Sequence, residues 1–234
     1  MEILEFVREM EAIAPPELAE EYDRDRIGLV VEGTRPVARV VAALDATVRV
    51  AEMAADQDAD VLVVHHSPLF VPSSRVVGER ARLLRVLLTR GLHLYVMHTN
   101  FDRAAGGIND ALADLLGLTD RVPLPLGLVG RVSIDPAGLS AILGPLRVFG
   151  EVERIERLAV VGGSGFDMAL IEGAAELGAD AFLSAELRHH IAREAPIPCI
   201  ESTHYALEAP GMRALAARMG WTFIDDPPWL QVCD

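Results

Sequence analysis

Lysine is absent, and all 21 basic residues of the 234-residue chain are arginine. Mechanisms that need a lysine Schiff base or a Walker-type phosphate-binding lysine are therefore excluded. Cysteine is scarce, with only Cys199 and Cys233. Two isolated thiols point to a reducing compartment rather than a disulfide scaffold, and neither has an obvious activating histidine for thiol catalysis. No apolar run approaches the ~20 residues that span a bilayer. The opening Met1-Glu2-Ile3-Leu4-Glu5-Phe6 carries acids where a secretory signal needs basic residues, so a cytoplasmic location and no membrane partner are expected. The formal net charge of −14 argues against bulk binding to nucleic acid or to an anionic membrane surface. A small anionic substrate stays open, because a local metal or arginine patch overrides net charge.

What is present is a globular composition, 51% hydrophobic and 24% charged, which can bury a core and leave room for subunit interfaces. Apolar spacing predicts a helix over 2–14, stopped by Pro15-Pro16, and a short acidic helical segment over 17–22. Strands are predicted at 28–33, 38–45, 61–64 and 92–97, with helices at 46–55, 79–90 and 108–116. This alternation is that of an α/β fold with a largely parallel sheet covered by helices. Between Asp120 and Gly150, repeated Pro and Gly mark the best candidate for a lobe boundary. Beyond it, strands at 158–161, 180–184, 198–202 and 221–224 alternate with helices at 167–177, 185–194 and 203–219. Pro210-Gly211 is expected to kink or interrupt the last helix.

Three stretches carry groups suited to chemistry. Val61 to Val64 is a buried strand that ends in His65-His66, with Pro68 forcing a turn soon after. Adjacent strand residues face opposite ways, so both rings serve one site only if the backbone turns there; otherwise one is a hydrogen-bonded structural histidine and the other is exposed. His98 and Asp102 follow the next strand, as a ligand pair or as the start of a loop through an Asx turn. His204 and Glu208 stand four apart at the start of a helix, sharing one face as ligands or as a solvated pair. Mixed N/O donors suit zinc, iron or manganese, and five ligands exceed one tetrahedral site, which favours two ions sharing a carboxylate. Gly162-Gly163-Ser164-Gly165 fits a tight βα turn better than a phosphate cradle. The stretch from Ser184 through Glu186, Arg188 and His190 is either a capped helix start or a set of polar groups for a substrate.

Taken together, His65-His66-Ser67-Pro68, His98-Thr99-Asn100-Phe101-Asp102 and His204-Tyr205-Ala206-Leu207-Glu208 resemble the motifs of the NIF-three-like family, also labelled GTP cyclohydrolase I type 2 homologues. The resemblance extends to Gly28–Gly33, Ala43-Leu44-Asp45-Ala46-Thr47, Gly106-Gly107-Ile108-Asn109-Asp110 and Gly162–Gly165, in the same order along the chain. Two departures stand out. Ser67 separates the histidine pair from its proline, and Tyr22-Asp23-Arg24 replaces a usual tryptophan-aspartate opening.

The resemblance implies two α/β lobes with mixed, largely parallel sheets and a dinuclear metal site in the cleft between them. The first lobe, 1–122, would carry His65, His66 and Asp102. The second, 123–234, would carry His204 and Glu208, with its C-terminal segment free to pack back on the first. The resemblance also implies those five residues as ligands and a toroidal homohexamer. The expected function is a metal-dependent hydrolase acting on a nucleotide or related small molecule, with two divalent ions per subunit. In it His98 is the base or orienter, and Arg103, Glu186, Arg188 and His190 are candidate substrate contacts. The alternative is a non-catalytic protein that stores, delivers or inserts metal.

Overall fold

A computed structural model describes residues Met1–Val232. Cys233 lies outside the described residues. In chain order the elements are α1 (Ile3–Ile13), β1 (Gly28–Val31), β2 (Val40–Asp45), α2 (Val48–Asp56), β3 (Val61–His66), α3 (Gly78–Arg90), β4 (His93–Val96), α4 (Thr99–Arg103) and α5 (Ile108–Leu115). They continue as β5 (Thr119–Pro123), β6 (Leu128–Ile134), α6 (Pro136–Leu143), β7 (Arg147–Phe149), β8 (Ile155–Val160), α7 (Met168–Glu176), β9 (Ala181–Ser184), α8 (His189–Glu194), β10 (Cys199–Glu201), α9 (His204–Met219) and β11 (Thr222–Phe223). Two compact units result: Met1–Gly107 with Met212–Pro227, and Ile108–Gly211 with the described residues from Pro228 to Val232. No helix among the described residues is long and apolar enough to cross a membrane.

The first unit holds a five-stranded sheet in the order β1-β4-β3-β2-β11. Strands β11, β2, β3 and β4 run parallel, and β1 is antiparallel to β4. The central strands read as unbroken apolar runs because helices cover both faces. Val41, Ala43, Leu62, Val64, Leu94 and Val96 pack with Val50, Ala51 and Ala54 of α2 and Leu83 and Leu87 of α3. Thr47 caps α2 by accepting from the Val50 N–H at 3.0 Å. Parallel pairing brings the carboxyl ends of β2, β3 and β4 to one edge of the sheet. Because β1 is antiparallel, with Gly28 opposite Val96, the residues just before it arrive at that same edge.

The second unit holds a six-stranded sheet in the order β5-β6-β8-β9-β10-β7, parallel only through β8, β9 and β10. Leu128, Leu158, Val160, Leu183 and Ile200 pack on one side, and Val129, Ala159, Phe182 and Cys199 on the other. The units share one device. Asp60, just before β3, accepts from the Ala38 and Arg39 N–H groups at 2.9 and 2.8 Å, and Asp180, just before β9, accepts from Glu156 and Arg157 at 2.8 and 2.9 Å. Each aspartate fixes where a neighbouring strand begins.

Several sequence expectations are corrected. The Pro/Gly-rich 120–150 stretch, for which no elements were expected, supplies β5, β6, α6 and β7. The helical segment expected over 17–22 is split between two 3-10 turns, Pro16–Leu18 and Glu21–Arg26. Residues 98–102 do not open a loop, because α4 forms from Thr99. Helix α8 starts at His189 rather than 185, after Glu186 adopts a left-handed φ of 63°. Pro210 does not interrupt α9, which runs through it. Gly211 sits where a Cβ would lie 2.8 Å from the Ile108 Cα, so this part of the helix is built for close approach to another backbone.

Candidate metal centre

In the first unit, β3 extends through both histidines, and the expected turn follows them, with Ser67 Oγ accepting from the Leu69 N–H at 3.3 Å. The His65 ring is fully buried, and its Nδ1 donates to the Met97 carbonyl at 2.7 Å. His66 Nδ1 donates to Asp45 Oδ1 at 2.7 Å, Asp45 being its register partner on β2. His98 precedes α4, and its Nδ1 donates to Asp23 Oδ2 at 2.8 Å. The three rings have centroids 4.9, 5.0 and 5.6 Å apart. One nitrogen from each lies within 4.8 Å of the others. Asp102, one turn into α4, places Oδ1 3.5 Å from His65 Nε2.

Asp23 is wholly buried, and its Oδ2 also accepts from the Thr99 N–H and Oγ1 at 3.1 and 2.7 Å. Burial by itself would raise this carboxyl; the hydrogen bonds from His98 and Thr99 outweigh it, and the pKa lies below the ordinary carboxylate value. Asp23 is therefore a carboxylate near neutral pH. For Tyr22, burial and then the neighbouring Asp23 and Glu20 carboxylates push the phenol upward, so it stays neutral.

In the second unit, His204 and Glu208 stand one turn apart on α9, with Nε2 and Oε2 at 2.9 Å. His204 Nδ1 donates to Glu186 Oε1 at 2.8 Å. The Gly162–Gly165 loop packs on this pair. A Cβ on Gly163, whose φ is +67°, would overlap Glu208 Oε1 and sit 3.2 Å from His204 Nε2. Two of the loop's N–H groups are already committed, Gly162 to Asn109 Oδ1 and Gly165 to Ser184 Oγ, both at 2.8 Å. The loop is thus a close-approach turn that seats Glu208.

A family model described as Duf34/NIF3 (NGG1p interacting factor 3) matches residues 1–226. The chain belongs to the Duf34/NIF3 family. Among curated relatives, the GTP cyclohydrolase 1 type 2 homolog of Methanocaldococcus jannaschii is 34% identical over 227 residues, covering 91% of this chain and 91% of its own. The Streptomyces coelicolor protein of the same name is 33% identical over 245 residues, covering 92% and 84%. Among solved structures, reduced HcgD from M. jannaschii aligns with a TM-score of 0.81 at 30% identity, over 95% of this chain and 96% of its own. The structural-genomics protein ybgI, of unknown function, aligns at 0.87 and 28%, over 97% and 99%. The resemblance read from the three histidine motifs thus holds, as does the α/β fold with two mixed sheets flanked by helices.

In this Duf34/NIF3 chain the donor set fits divalent metal. A carbonyl or carboxylate can only accept, so the Nδ1 atoms of His65, His66, His98 and His204 all carry protons. A neutral ring in that tautomer presents its Nε2 lone pair, the arrangement by which carboxylates and carbonyls orient metal-binding histidines. His204 Nε2 and Glu208 Oε2 are both acceptors in that state, and a cation or a proton between them resolves their approach. Imidazole with carboxylate suits zinc, iron or manganese.

Asp45 and Asp23 are the histidine partners that sequence reasoning did not assign. Each left a signal in the resemblance, Asp45 within the Ala43-Leu44-Asp45-Ala46-Thr47 motif and Asp23 at the aspartate of the family's usual tryptophan-aspartate opening. Of the candidate substrate contacts, Glu186 orients His204, while Arg103 is engaged by the Glu20 carboxylate and the Leu18 carbonyl. Arg188 and His190 lie exposed at the head of α8.

Proposed function

We propose that this protein binds two divalent ions per subunit through His65, His66, Asp102, His204 and Glu208, and hydrolyses a nucleotide or related small molecule. The observation that carries this reading is the uniform tautomer. Four histidines, three in the first unit and one in the second, have Nδ1 committed to an acceptor, the tautomer whose Nε2 carries the lone pair. Bound divalent ions supply Lewis acidity, activating water and polarising the bond to be cleaved. The chain's own residues do the rest. Asp23 keeps the His98 ring in one tautomer and orientation, so His98 Nε2 is the natural proton acceptor during attack by water. Glu186 does the same for His204. The relatives' cyclohydrolase names are in keeping with a nucleotide substrate, the family resemblance favours a homohexamer, and the two isolated thiols favour a cytoplasmic location.

Elemental analysis of protein purified without chelator, combined with a screen against nucleotides and phosphoesters, tests the proposal. Wild type is expected to carry metal and turn over repeatedly, and His66→Ala to lose both. Full activity in metal-free protein overturns the hydrolase mechanism. Bound, exchangeable metal with no turnover on any substrate replaces it with the metal-storage or delivery reading.

A further inference from the structure

The 3-10 turn Glu21–Arg26, which supplies Asp23 to His98, also carries an arginine with no carboxylate partner. Arg26 makes no hydrogen bond or ion pair among the described residues, whereas Arg35, Arg103, Arg121, Arg147 and Arg213 each hold an acid. The turn itself contains Glu21, Asp23 and Asp25, yet Arg26 pairs with none of them. Aromatic faces hold it instead. Its guanidinium carbon lies 4.3 Å from the Phe70 ring centroid and 5.7 Å from that of Tyr22, and the two rings meet edge to face at 6.4 Å. Stacking of this kind fixes the guanidinium plane and consumes none of its five N–H donors.

The position matters as much as the free donors. Phe70 also meets the His98 ring edge to face, with centroids 5.8 Å apart. Arg26 is therefore set beside the histidine cluster, against Phe70 of the loop that leaves β3 through His66 and Ser67. Tyr22 and Phe70 both keep exposed area. A planar, oriented, donor-rich cation next to a group of imidazoles matches the paired oxygens of a phosphoryl group.

The geometry points to Arg26, held by Tyr22 and Phe70, as the binding site for the phosphate of a nucleoside phosphate whose reacting bond is presented to His98. This assignment rests on the hydrolase reading of the neighbouring histidines, and the test separates the two. Full-length protein, once as purified and once after chelator treatment, is titrated calorimetrically with guanosine 5′-monophosphate and with guanosine. Metal content is measured on the same samples. Wild type is expected to prefer the monophosphate. Arg26→Gln is expected to lose roughly tenfold or more of that affinity, as for a charge-assisted bidentate contact, with guanosine binding and metal content unchanged. Arg26→Lys, which keeps charge but not the planar fork, is expected to fall between them. Arg26→Gln binding the monophosphate as tightly as wild type overturns the assignment. So does a wild type that fails to distinguish the two probes, whatever metal it holds. Absence of metal from wild type is a separate result, and it removes the hydrolase reading instead.

Discussion

Asp23→Asn removes one negative charge from a wholly buried position and little else. Asp23 Oδ2 accepts three hydrogen bonds, from His98 Nδ1, the Thr99 N–H and Thr99 Oγ1, at 2.8, 3.1 and 2.7 Å. An asparagine oxygen can keep those contacts, but as a neutral acceptor. A bond to a charged group contributes about 1.5–3 kcal/mol against about 0.5–1.5 for a neutral one, so the change costs about 1 kcal/mol per bond. Asp23 Oδ1 has no hydrogen-bond partner among the described residues, so the new amide gains no acceptor there. The expected loss is about 2–3 kcal/mol at pH 7.

The pH dependence follows from the lowered Asp23 pKa. A carboxyl whose folded value is depressed contributes its full stability above the unfolded value near ~3.9 and loses it as pH falls through the folded value. Urea unfolding of chelator-treated wild type and variant should show the gap at pH 7. It should narrow once pH drops below about 4, as Asp23 protonates and comes to resemble the amide. A variant as stable as wild type at pH 7 would refute the charge-assisted network. A gap that persists unchanged at the lowest pH at which wild type still folds would place its origin in packing rather than charge.

Asp45→Asn should weaken metal binding by about 10–100-fold in chelator competition while leaving the circular dichroism unchanged, because it loosens the tautomer of His66 without removing a ligand. Gly163→Ala should lower stability by about 1–3 kcal/mol in thermal unfolding, since the position has positive φ and the added methyl collides with Glu208. Metal content should fall in the same protein. Burial pushes the Cys199 thiol up to about 11. In a Cys233→Ser background, native protein should therefore resist a thiol reagent at pH 8 and react only when unfolded.

The strand-to-histidine junction was legible because Val61 to Val64 is an apolar run that only a doubly covered strand explains. The shared helical face of His204 and Glu208 was legible from their spacing. Residues 98–102 were harder, since a five-residue helix has too few positions to show a period. Pro210 misled because a proline is a helix breaker in isolation, whereas tertiary packing sustains α9 through it. The strands within 120–150 were hidden because short strands joined by tight turns concentrate glycine and proline. Asp23, Asp45 and Arg26 were not legible as partners of the histidines. Their roles depend on β1 running antiparallel to β4 and on the register between β2 and β3, and neither is written in local sequence.

That register has a consequence for quality control during folding. Asp45 stands opposite His66, so backbone pairing and ligand tautomer are set by the same alignment of two parallel strands. A slip of one residue would face His66 with Leu44 or Ala46, and would turn every β3 side chain to the other face. A mispaired chain would then lack the oriented imidazole as well as the core. Uptake of metal would therefore count correctly paired molecules, and the cation would act as an assayer of the sheet that holds it.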